Sequence, residues 1–100
     1  MRNQRETRTR SREKMMEILS NTYPDQWINV SEEFRGSEGG IWLDAECGVT
    51  DRNGKFLFDY YNQDLAKREF GVIEHLAKWA ERAGWYFEWN DPGTIFLWEM

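Results

Sequence analysis

Two alternating runs between residues 41 and 61, meeting at Asn53-Gly54, constrain this chain more than any other feature. Asn-Gly is the preferred pair for a two-residue type I′ turn, because both central positions need a positive φ that few side chains tolerate. With that turn Arg52 faces Lys55, and counting outward pairs Asp51 with Phe56, Val49 with Phe58 and Cys47 with Tyr60 on one face. The opposite face takes Thr50 with Leu57, Gly48 with Asp59 and Glu46 with Tyr61, and continues to Trp42 and Asp44. The register thus separates a mainly apolar face from one of acids and aromatics. It also turns Cys47 inward, where a thiol is inert filling and not a nucleophile.

A second hairpin is predicted over 85–100. A four-residue loop at 90–93 pairs Trp89 with Thr94, Phe87 with Phe96 and Trp85 with Trp98 on one face, leaving Glu88 with Ile95 and Tyr86 with Leu97 on the other. Between the hairpins, Leu65, Val72, Ile73, Leu76, Trp79, Ala80 and Ala83 recur at helical spacing, which predicts one long helix over 65–83. Asn62 or Asp64 would cap it and Gly84 would end it. Met15, Ile18 and Leu19 predict a short helix near 11–21, closed by Pro24. Residues 26–31 read as an edge strand, and the glycines of 35–40 form a loop without a phosphate-binding spacing. The order α-β-β-β-α-β-β defines an α+β domain: an antiparallel sheet of two hairpins and a candidate edge strand, packed on the long helix.

A chain of 100 residues has room for one such domain. Leu, Ile, Val and Phe together supply 20 residues, the borderline between folded and disordered composition. Six Trp, six Phe and four Tyr move it to the folded side, since each ring can bury on the order of 150–250 Å². We therefore expect a basic arm over 1–10 and a single aromatic-cored domain over 11–100. With no apolar run near the ~18 residues a membrane helix needs, and a charged N-terminus, the expected location is the cytoplasm. One cysteine and one histidine exclude an internal disulfide and a Cys/His zinc site, and neither metal nor cofactor is expected.

The net charge of −5 conceals an asymmetry. Arg2, Arg5, Arg8, Arg10, Arg12 and Lys14 lead a chain whose remainder is strongly acidic. Such an arm reads either as a nucleic-acid contact, each cation releasing a counterion from a phosphate, or as a solvated terminus lying on its own acidic domain. The acidic body reads either as a solubility device or as a surface built for a basic partner.

Trp42, Asp44, Glu46, Asp59, Tyr61, Tyr86 and Glu88 form the expected exposed face and the candidate protein-binding site. Catalysis by its carboxylates is disfavoured, because a general acid needs a desolvated carboxyl and this face is open to water. His75 falls among charged neighbours on a helix and has no sequence partner that would make it a base. Base stacking on the rings is disfavoured too, since acids surround them where nucleic-acid modules place Lys and Arg. Tyr and Trp flanked by carboxylates suit a protein partner, whose arginines can pair with both.

The stretch 84–98, with its run Trp85-Tyr86-Phe87-Glu88-Trp89 and the amphipathic helix before it, resembles small accessory proteins of bacteriophages and mobile elements. The resemblance implies a non-enzymatic, anti-CRISPR-like inhibitor that occludes a host protein, such as a nucleic-acid-processing defence enzyme. An immunity protein for a toxin nuclease would act the same way. The alternative is an accessory protein that binds nucleic acid through its arm.

Overall fold

The structure, a computed structural model, describes residues 9–62 and 68–100. The expected Asp64 cap and Leu65 of the helical stripe, and the arm residues Arg2, Arg5 and Arg8, lie outside them. Helix α1 (Arg12–Thr22) starts where Ser11 Oγ accepts the amide of Lys14 and ends as the Tyr23 amide returns to Leu19, one residue before Pro24. Its buried residues, Met15 and Leu19, are one turn apart. Strands β1 (Ile28–Val30) and β2 (Ile41–Asp44) follow, joined by a 3₁₀ turn (Ser31–Glu33) and a glycine loop. Two short strands, β3 (Arg68–Glu69) and β4 (Val72–Ile73), lead into α2 (Glu74–Arg82). A hairpin of β5 (Trp85–Asp91) and β6 (Thr94–Glu99) closes the chain. The fold is α+β: a four-stranded antiparallel sheet in the order β1-β2-β6-β5, with both helices contributing to one core.

The inner sheet face supplies Ile41 and Leu43 from β2, Ile95 and Leu97 from β6, and Trp85 from β5, all at most 1 % exposed. Met15 and Leu19 of α1 and Leu76 and Ala80 of α2 complete this core. Trp85 can be buried because its indole N–H donates to the carbonyl of Arg10 at 2.7 Å. Gly84, at φ +86°, ends α2 as expected, and Thr9 packs against it so closely that a Cβ there would meet the Thr9 hydroxyl at 2.9 Å.

Three expectations need correction, and each turns on local backbone chemistry. The long helix 65–83 is replaced from residue 68 by the β3–β4 hairpin, and α2 begins only at Glu74 with Ile73, not Asn62, at its cap position. Phe70 and Gly71 both take positive φ, which turns the chain, and β4 then pairs with 57–59: Ile73 N–H donates to Leu57 and Asp59 N–H to Gly71. Val72 and Ile73, β-branched and both buried, fit this extended role.

The first hairpin is also displaced. Asp51 N–H donates to Lys55 and Gly54 N–H to Asp51, with Gly54 at φ +79°, so the turn holds three residues and not two. Thr50 therefore faces Phe56, one residue away from the expected Asp51–Phe56 pairing. Leu57 and Phe58 are both buried, and Phe56 is exposed. Strand β2 ends at Asp44, so alternation stops before Cys47, which is exposed and not turned inward.

In the second hairpin Asp91 pairs with Thr94 around Pro92-Gly93, and an irregularity at Asn90 shifts every later pair. Phe87 faces Leu97 and Trp85 faces Glu99, where Phe96 and Trp98 were expected. Phe96 and Trp98 consequently lie on the outer face, which is the aromatic one. The helices cover the largely aliphatic face instead.

Candidate functional site

The outer face is set by strand parity. Trp42 and Asp44 alternate with buried Ile41 and Leu43, and Tyr86 and Glu88 alternate with Trp85, Phe87 and Trp89. Pairing of Trp42 with Phe96, of Phe96 with Glu88, and of Trp98 with Tyr86 places all six on one side of the sheet. Four of the seven expected site residues are therefore gathered: Trp42, Asp44, Tyr86 and Glu88. Glu46, Asp59 and Tyr61 are not on this face. They line a separate cleft beyond the end of β2 with Phe56 and Tyr60.

Sequence reasoning missed the rings that bind the outer face together. Trp27 meets Trp42 edge-on at 4.7 Å, Phe34 touches Trp42 and Phe96 at 5.0 and 5.2 Å, and Phe96 stacks on Trp98 at 5.1 Å. Phe96 and Trp98 were lost through the one-residue register error. Phe34 carried a signal of its own, a lone aromatic in a polar, glycine-rich loop. Trp98 donates its indole N–H to Glu88 at 2.8 Å and lies over Gly40, where a Cβ would meet the ring at 2.4 Å. Phe96 is covered, whereas Trp27 and Tyr86 are each 43 % exposed. Between Trp27, Trp42, Asp44 and Thr94 runs a groove of about 250 Å³.

The loop carrying Phe34 is firmly anchored. The hydroxyl of fully buried Ser31 donates to Ser37 and accepts from the Gly40 amide, both at 2.8 Å. Glu32 accepts from the Gly39 amide and pairs with Arg12 at 2.7 Å, and these contacts, the amide first, hold its carboxyl below the usual range. Arg12 also donates to the Gly40 carbonyl. Of the arm cations, Arg12 is thus committed within the domain, Lys14 pairs with Glu17 at 3.3 Å, and the backbone of Arg10 bonds to Ala83 and Trp85.

His75 lies exposed on α2, among the charged neighbours expected of it, and its Nε2 is 3.1 Å from Asp51 Oδ2. Asp51 Oδ1 accepts the amides of Asn53 and Lys55. Burial pushes this carboxyl up, but the Lys55 and Asn53 amides and the His75 ring outweigh it, and its pKa falls below the ordinary value. The pair links the 51–55 turn to α2 and is a structural clasp, with the carboxylate supplying the turn's missing acceptor.

Among the described residues no group of three or more His, Cys, Asp or Glu is placed to hold a metal ion, and no helix is long and apolar enough to cross a membrane. No family model, curated protein or solved structure matches the chain.

Proposed function

We propose that this is a non-enzymatic binding domain whose outer sheet face docks a basic protein surface and occludes it. The observation that carries the reading is the placement of Trp42, Asp44, Tyr86 and Glu88 on one partly covered face, on the side of the sheet away from the helices. Trp and Tyr are the side chains that most often anchor interfaces, and carboxylates beside them select and steer cationic partners. A nucleic-acid channel of a host enzyme has the complementary chemistry, with Asp44 and Glu88 taking the place of phosphates. The resemblance to phage accessory proteins favours a defence enzyme as that host partner.

The test is a capture from nuclease-treated bacterial lysate at low and high salt, followed by association kinetics with the recovered protein. Asp44→Lys with Glu88→Lys should slow association at least tenfold and flatten its salt dependence. Unchanged kinetics would remove the face from the proposal. Recovery of nucleic acid instead, lost on deleting residues 1–8, would transfer the function to the arm.

A further inference from the structure

The two edges of the sheet are unequal. Strand β1 is three residues long, which blunts it as a template, whereas β5 runs for seven. In an antiparallel ladder alternate residues bond to one neighbour, and the residues between them turn their N–H and C=O groups the other way. Met100 N–H donates to the carbonyl of Gly84, and Trp85 stands opposite Glu99. This parity turns Tyr86 and Glu88 toward β6, and Phe87 and Trp89 toward the open edge. Among the described residues no strand pairs with that edge. A groove of about 240 Å³ follows it, lined by Phe87 and Trp89, by Phe70 at the β3–β4 turn and by Ala77 of α2. Glu69 and Glu81 add carboxylates, and no Lys, Arg or His is among the described lining residues. Two of its rings are open to solvent, Phe70 at 75 % and Tyr86 at 43 %.

The chain's own path leads to this groove. Arg10 N–H donates to Ala83 and Thr9 packs on Gly84, so a step back from Arg10 to Thr9 is a step forward from Ala83 to Gly84, antiparallel to the strand that starts at Trp85. Eight residues precede Thr9, with Arg2, Arg5 and Arg8 against the single acid Glu6. Extended at roughly 3.3 Å per residue they reach about 26 Å, and β5 is about 23 Å long on the same scale. We propose that residues 2–8 add to β5 as a further antiparallel strand, bonding the backbone of Phe87 and Trp89 and setting arginines against Glu69, Glu81 and the open rings. Backbone pairing supplies the hold and the acidic groove selects a basic strand. Tethering decides the occupant, because a short link gives the arm an effective concentration in the millimolar range. A second copy pairing edge to edge would set Glu69, Glu81 and Glu88 against their own counterparts. The inference is independent of the docking reading.

The experiment is residue-resolved amide hydrogen exchange on the full chain and on a chain lacking residues 1–8, which keeps Thr9 and Arg10 in place. The Phe87 and Trp89 amides should exchange about tenfold or more slowly in the full chain than in the shortened one, while Tyr86 and Glu88, bonded to β6 in both, should change less than about twofold. Arg5→Glu with Arg8→Glu in the full chain should lower the Phe87 and Trp89 protection by about threefold or more. A synthetic peptide of residues 1–8, added at millimolar concentration to the shortened chain, should restore protection at the same two amides. Equal exchange of Phe87 and Trp89 with and without the arm would overturn the proposal. So would an acceleration shared equally by Tyr86 and Glu88, which would mean that shortening loosens the whole hairpin. Protection that rises with protein concentration would give the edge to a second copy instead.

Discussion

The two faces of the sheet solve opposite problems with the same strands. The inner face uses Ile41, Leu43, Ile95, Leu97 and Trp85, sealed almost completely from water under two helices. The outer face uses Trp27, Trp42, Phe34, Phe96 and Trp98, joined ring to ring under one tethered loop and left partly open. Aliphatic side chains stabilise by filling volume and lose their value at a gap. Rings keep specific edge and stacking contacts even when one side is wet, and their N–H groups can reach an acid at the margin, as Trp98 does with Glu88. A sheet so divided can devote one face to stability and retain the other for contact.

The sharpest way to break this contrast is Leu43→Ala, which should cost about 2–5 kcal/mol in chemical denaturation because the closed face cannot relax into the space. Phe34→Ala, on the open face, should cost about 1–2 kcal/mol, since it removes ring contacts without creating an enclosed cavity. A similar loss for both would mean that the outer array is as closed as the core.

The Asp51–His75 clasp sharpens the comparison through pH. The folded pKa of Asp51 lies below the unfolded value, so its stabilisation is complete above the ordinary aspartate range and is lost as pH falls through the folded value. Melting temperatures of the parent and Asp51→Asn should therefore differ near neutrality and converge in acid, and a constant gap would assign the effect to packing. Smallest of all, Glu88→Gln should change stability by less than about 0.5 kcal/mol, as the amide oxygen still accepts the Trp98 indole.

Strand parity explains why the outer face was legible while its partners were not. Trp42 and Asp44 alternate with Ile41 and Leu43, and Tyr86 and Glu88 with Trp85 and Phe87, whatever the neighbouring strand does. Register depends on single turn residues. At 51–55 the Asp51 carboxylate captures the amides of Asn53 and Lys55 and lengthens the turn that Asn-Gly suggested. At Asn90 one irregular residue moved Phe96 and Trp98 across the sheet. The α2 stripe was legible from Leu76 onward, but Phe70 at φ +51° is a backbone state that side-chain periodicity does not encode. Helix α1 was read to within one residue because Ser11 and Pro24 mark its limits chemically.

The indole of Trp85 gives the first described residues a duty beyond carrying charge. Its N–H reaches the backbone of Arg10, while the amide of Arg10 reaches Ala83, so the chain is stitched across the exit of α2 from the amino side. Trimming the terminus past residue 8 would cut that stitch and strand a buried donor beside the core. Truncations made to ask about the arm's cations should end there, or they will report on collapse of the domain's seam.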